Sequence, residues 1–90
     1  MSEILDNLVK IIRDRKNSTE EKSYTKKLLN NKKLSEEKVL EEINELIEAV
    51  ENDSNKIHEA ADVFYHLIMY LEANDVKIED VMEELNKRKK

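Results

Sequence analysis

Apolar residues recur along this chain at three- and four-residue intervals, the spacing that lays side chains along one face of a helix. Ile4, Leu5, Leu8, Val9, Ile11 and Ile12 form a broad stripe, which predicts a first helix from about Ser2 to Lys16. A polar stretch from Asn17 to Lys22 interrupts the pattern, and Ser23 is placed to cap a short helix carrying Leu28 and Leu29. Ser35, followed by Glu36 and Glu37, reads as the N-cap of a longer helix whose face is Val39, Leu40, Ile43, Leu46, Ile47 and Val50, ending near Glu51. Asn52-Asp53-Ser54-Asn55 is built of turn and cap formers, so this helix and the next are expected to pack as an antiparallel hairpin.

The next helix, from about Asn55 to Ala73, carries Ile57, Ala60, Ala61, Phe64, Leu67, Ile68 and Leu71 on its main face, with Val63, Met69 and Tyr70 toward the other side. A helix apolar nearly all round is usually central, which predicts packing within the subunit on one side and against a partner or substrate pocket on the other. After Asn74-Asp75 a last helix uses Ile78, Val81, Met82 and Leu85.

Composition sharpens this picture. The chain has no Gly and no Pro, the usual terminators of helices and builders of hairpins, which leaves an all-α fold with polar connections. Its 90 residues imply one domain, 1–90, small enough that burial against a second copy, a homodimer, is the default expectation. With no Cys, any metal must sit on oxygen or imidazole. The net charge of −5, with Lys and Arg dispersed, argues against nucleic acid as the main partner. The closing Lys87-Arg88-Lys89-Lys90 reads as a solvated helix terminus whose cations complement the helix dipole. No apolar run approaches a membrane span and no leader pattern opens the chain, so a cytoplasmic location without membrane attachment is expected.

Candidate chemistry lies in acidic residues on the two central helices: Glu41-Glu42-x-x-Glu45, then Glu59-x-x-Asp62, with Tyr65-His66 a turn further on. Residues three or four apart share a helix face, so each cluster can aim two carboxylates at one point. Glu42 borders the apolar stripe and Glu45 lies beside it, where a carboxylate costs desolvation unless a cation or hydrogen bonds compensate. Mg²⁺, which takes oxygen ligands and bridges carboxylates to phosphates, is the cation this set suits.

Four segments together carry a resemblance: Ser23-Tyr24-Thr25-x-x-Leu28-Leu29, Lys38-Val39-x-Glu41-Glu42-x-x-Glu45, Glu59-Ala60-Ala61-Asp62-x-x-Tyr65-His66, and Ile78-Glu79-Asp80-Val81-x-x-Glu84-Leu85. From about Leu8 to Arg88 the chain resembles phosphoribosyl-ATP pyrophosphatase of histidine biosynthesis, within the MazG-like nucleoside triphosphate pyrophosphatases. The acidic signature specifies the superfamily, and Ser-Tyr-Thr with Tyr-His points to the histidine-pathway member. The chain departs from the family pattern at Lys22 and Leu40, where Gly is usual, and at Ser18-Thr19-Glu20, where Pro is usual.

What the resemblance implies is a helical bundle of four to five helices that hydrolyses 1-(5-phosphoribosyl)-ATP to 1-(5-phosphoribosyl)-AMP and pyrophosphate with Mg²⁺. Glu42, Glu45, Glu59 and Asp62 would hold the cation, and Glu41 would orient or deprotonate the attacking water. Ser23, Tyr24, Thr25, Lys26, Lys38 and His66 would contact the substrate. Each has a plain structural reading as well: Ser23 an N-cap, Tyr24 a core residue, Glu41, Lys26 and Lys38 solvated charges, His66 a structural or carboxylate-orienting imidazole. Tyr65 and Tyr70 read as packing residues. Two other functions fit the same signature, a house-cleaning pyrophosphatase acting on other nucleotides and a helical dimer without catalysis. The cyclohydrolase often fused to this enzyme has no counterpart in a chain of this length without cysteines.

Overall fold

The computed structural model describes residues 2–17 and 23–89. They form five helices: α1 Glu3–Lys16, α2 Tyr24–Leu29, α3 Lys32–Glu51, α4 Lys56–Ala73 and α5 Ile78–Lys87. There is no strand among the described residues, and no helix there is long and apolar enough to cross a membrane. The expected loop at 18–22 lies outside the described residues.

The starts of α1, α2 and α3 follow local capping chemistry. The hydroxyl of Ser23 accepts from Lys26 N at 3.3 Å, so that predicted N-cap holds, and the hydroxyl of Ser2, at the expected start of the first helix, accepts from Leu5 N at 3.1 Å. The start of α3 differs from expectation. Asn31 is its cap, accepting from Leu34 N at 3.0 Å, and Ser35 lies one turn inside the helix at 2% exposure. Extending the helix back past two lysines places Leu34 against the core, and that burial outweighs the unfavourable Lys32-Lys33 charges in the first turn.

The helix ends explain how a chain without Gly turns corners. Asp53 and Asp75 take φ of 48° and 59°, each one residue past the cap of α3 and α4. At the first, Ser54 N donates to Ala49 O at 3.0 Å and Asp53 N to Val50 O at 3.3 Å. At the second, Val76 N donates to Leu71 O at 2.9 Å and Asp75 N to Glu72 O at 3.2 Å. Both pairs are the six-to-one and five-to-two bonds of a Schellman turn, with Asp in the left-handed position that Gly normally fills.

Helices α3 and α4 form the expected antiparallel hairpin and make the most extensive contact of the fold, with α2 wedged against α1, α3 and α4. The core is at one end: Val9, Ile12, Leu28, Leu29, Ile68, Met69 and Ile78. An ion network closes it. The Arg13 guanidinium forks onto Glu79 at 2.8 and 2.6 Å and pairs through Nε with Glu72, while Lys16 Nζ donates to Glu72 O at 3.0 Å. The Arg13 hydrogen bonds hold the Glu79 carboxyl down at about 2.

This network makes a stability prediction, because the Glu72 side chain is only 10% exposed. Arg13→Met strands that carboxylate and is expected to cost about 3 kcal/mol, with Arg13→Met/Glu72→Met recovering most of it. Urea denaturation measures both; a single-mutant loss below about 0.5 kcal/mol would mark the pair as a surface bridge.

The central helix buries a different side from the one its composition favours. His66, Ile68, Met69, Glu72 and Ala73 are covered, whereas Ile57, Phe64 and Leu67 stand exposed. On α3 the stripe divides likewise: Val39 and Ala49 are buried, and Leu40, Ile43, Ile47 and Val50 are open. The row 40-43-47-50 and the row 57-60-64-67, open except at half-buried Ala60, alternate three- and four-residue steps, the seam spacing of packed helices.

Candidate metal centre

The hairpin brings the carboxylates of both helices together. One oxygen each from Glu42, Glu45 and Glu59 lies within 4.8 Å of the others, all three residues being half-buried. Glu59 belongs equally to a second group, with Asp62 and His58, of the same tightness. Glu42, Glu45, Glu59 and Asp62, the four positions singled out in the sequence, thus converge at the α3–α4 seam. A groove of about 200 Å³ lined by Glu45, Glu48, Ala49, Asn52, Ser54, Asn55 and Glu59 opens beside them toward the turn.

The electrostatics of this cluster are unrelieved. Burial pushes the Glu42 carboxyl above its ordinary value, and Glu45 and Asp62 push it further up against the opposing field of His66. Burial likewise raises Glu59, with Glu45 and Asp62 adding to the shift and His58 opposing it. Among the described residues, Glu42 Oε2 and Glu59 Oε2 are buried without a hydrogen-bond partner. Two orphaned carboxylate oxygens among converging like charges are the donor set that a hard divalent cation satisfies, so the residues present fit such an ion.

A pH prediction follows from the sign of these shifts. An acid whose folded value exceeds its unfolded one binds more protons when folded, so stability falls as pH rises above 4.5 through the shifted values. Without divalent cations, the melting temperature is expected to drop as pH rises above 4.5, less steeply in Glu42→Gln, and millimolar Mg²⁺ is expected to remove the drop. An unchanged slope in Glu42→Gln would place the effect elsewhere.

The flanking residues come from α2 and the start of α3. Tyr24, at 48% exposure, is no core residue; its hydroxyl meets His66 Nε2 at 3.0 Å. His66 Nδ1 lies 2.8 Å from the carbonyl oxygen of Asp62, which only accepts, so Nδ1 carries a proton and donates. His66 is therefore held between α2 and its own helix, with both ring nitrogens engaged. Burial raises the Tyr24 phenol against the field of nearby Lys38, with Glu42 and Glu41 adding to the rise.

Lys38 Nζ donates to Glu41 Oε2 at 3.2 Å, and that bond raises the lysine. Glu41 itself is exposed. Thr25, at 2% exposure, lies beneath the surface with its hydroxyl 2.6 Å from that of Tyr65. Ser23 spends its hydroxyl on Lys26 N. Of the positions expected to contact substrate, Tyr24, Lys38 and His66 therefore adjoin the carboxylates, while Thr25 braces α2 against α4 from below. The residue that the sequence reading passed over is His58: its signal was the four-residue step to Asp62, hidden on an otherwise apolar helix.

Comparison with known proteins agrees with the geometry. The phosphoribosyl-ATP pyrophosphohydrolase family model matches residues 5–89. Phosphoribosyl-ATP pyrophosphatase of Methanocella arvoryzae is 39% identical over 95 aligned positions, covering 100% of both chains. The Sulfurisphaera tokodaii protein of the same name is 44% identical over 92, covering 99% of this chain and 98% of that one. The Clostridium novyi one is 38% identical over 92, covering 98% and 83%. A match spanning nearly every residue, joined to carboxylates meeting across the α3–α4 seam, places this chain in the phosphoribosyl-ATP pyrophosphohydrolase family.

Proposed function

We propose that the chain, as a single domain over 1–90, hydrolyses 1-(5-phosphoribosyl)-ATP to 1-(5-phosphoribosyl)-AMP and pyrophosphate in histidine biosynthesis, in the cytoplasm. The observation that carries this reading is the meeting of Glu42, Glu45 and Glu59, with Asp62 beside them, at a half-buried seam where two carboxylate oxygens have no partner. Family membership supplies the substrate, since the relatives are named for it.

Glu42, Glu45, Glu59 and Asp62 hold Mg²⁺. The cation, when bound, neutralises the triphosphate and the departing pyrophosphate. The chain's own residues do the rest. Exposed Glu41, paired with Lys38, orients the water and takes its proton as the new oxygen–phosphorus bond forms and the bond to pyrophosphate breaks. Lys38 and Lys26 face phosphate oxygens, and Ser23 and Tyr24 at the start of α2 line the substrate. His66 fixes Tyr24 in place, and Thr25 supports that wall through Tyr65.

The unit is a homodimer in this reading. Its seam is the pair of open rows on α3 and α4, which give a hairpin two parallel apolar ridges suited to a four-helix bundle with a second copy.

Pyrophosphate release by the purified protein from phosphoribosyl-ATP, with ATP as control and Mg²⁺ present or chelated, tests the activity. Turnover of phosphoribosyl-ATP alone, lost on chelation, is expected. Folded protein that turns over neither substrate would overturn the assignment.

A further inference from the structure

The bond between Tyr24 and His66 has a direction, fixed from the far side of the imidazole. His66 Nδ1 lies 2.8 Å from the carbonyl oxygen of Asp62, and a carbonyl only accepts, so the ring proton is on Nδ1 and is donated there. A neutral imidazole protonated on Nδ1 presents a bare lone pair at Nε2. The Tyr24 hydroxyl, 3.0 Å from Nε2, therefore donates to it.

The surroundings hold this arrangement in place. His66, at 8% exposure, is gripped edge-on from both sides, by Tyr24 with ring centroids 5.9 Å apart and by Tyr65 at 5.8 Å. Tyr65 in turn meets the hydroxyl of Thr25 at 2.6 Å, so α2 is tied to α4 at two successive residues. Tyr24 is fixed in position and in polarity.

A phenol has a single proton. With that proton spent on His66, the Tyr24 oxygen turns only lone pairs toward the nucleotide site, and burial, by raising the phenol from its ordinary value, keeps the proton in place. Phosphate oxygens are themselves acceptors and gain nothing from such a group. The donors of a nucleotide are its ribose hydroxyls and the N–H groups of its base. Tyr24 stands beside Lys38, Glu41 and Glu42, and release of pyrophosphate puts the α-phosphorus at this cluster, so the ribose esterified to it comes next and the base lies further out. We propose that Tyr24 accepts a hydrogen bond from a hydroxyl of the adenosine ribose, and that the Asp62–His66 chain behind it makes it a reader of ribose rather than of phosphate. The inference rests on the reading above that Tyr24 lines the substrate.

The test compares turnover of 1-(5-phosphoribosyl)-ATP with that of its 2′-deoxy and 3′-deoxy adenosine analogues, in the native protein and in Tyr24→Phe, at about pH 8, where free imidazole is neutral. Tyr24→Phe keeps the aromatic ring and removes the oxygen. In the native protein, loss of the contacted hydroxyl is expected to lower kcat/KM about tenfold, the upper end for one neutral hydrogen bond. In Tyr24→Phe the parent substrate is expected to fall by the same factor and the analogue no further, with affinity for inorganic pyrophosphate within about twofold of native. The ring ¹⁵N signals of His66 are expected to be those of the Nδ1-protonated tautomer.

Native protein that treats all three substrates alike, or Tyr24→Phe that still discriminates, would overturn the inference and leave the activity standing. A His66 ring protonated on Nε2, or pyrophosphate affinity lost in Tyr24→Phe, would make Tyr24 a donor to phosphate and overturn it as well. Folded native protein without turnover of the parent substrate would remove the reading on which the inference rests.

Discussion

Glu42→Gln and Asp62→Asn are each expected to lower pyrophosphate release at least about a thousandfold while the helices and cooperative unfolding remain intact. Both changes keep the side-chain shape and remove one negative charge from the cluster. Glu42 Oε2 makes no hydrogen bond in the fold, so its replacement breaks none. It removes instead a carboxyl that burial and neighbouring acids already disfavour. The metal-free variant is therefore expected to melt no lower than the native protein, which separates loss of function from loss of structure. Activity within tenfold of native in both variants would sink the assigned centre.

Ile47→Glu is expected to convert the proposed dimer to monomer. The residue lies in the middle of the open row Leu40, Ile43, Ile47 and Val50, on the opposite side of α3 from Glu45. In a two-fold interface each substitution counts twice. Ile47 is 50% exposed, so losing its contact in both copies removes about 1.5 to 3 kcal/mol of association, a weakening of about tenfold to a hundredfold. Two new carboxylates facing each other in a chain of net charge −5 add repulsion. Sedimentation equilibrium reads the change directly. A native protein that sediments as a monomer, or a variant that dimerises as tightly as native, would discard this seam.

Much of the architecture was legible because it rests on local rules. Ser2 and Ser23 have short hydroxyls next to helical periodicity, and Asn52 to Asn55 is a run that turns easily. The carboxylates were legible for the same reason, since three- and four-residue steps place them on a face without knowledge of the rest of the fold. What the sequence concealed depends on distant contacts. Ser35 has cap chemistry, but Leu34 had a core to reach and α3 began a turn earlier. Helix α4 has two apolar sides, and periodicity alone does not decide which the subunit covers. The burial of Thr25 follows from Tyr65, 40 residues away. His58 was hidden because a single imidazole carries no pattern until Glu59 and Asp62 are seen beside it.

The two Schellman turns also bear on how far this fold lies from its own optimum. Asp53 and Asp75 sit in a backbone region that disfavours any side chain by about 1 kcal/mol or more relative to Gly. Both lie outside the carboxylate centre, and their left-handed geometry is imposed by the helices they join. The corners of this molecule thus hold an untapped margin of thermal tolerance, recoverable at residues that neither touch the carboxylate cluster nor line the open seam.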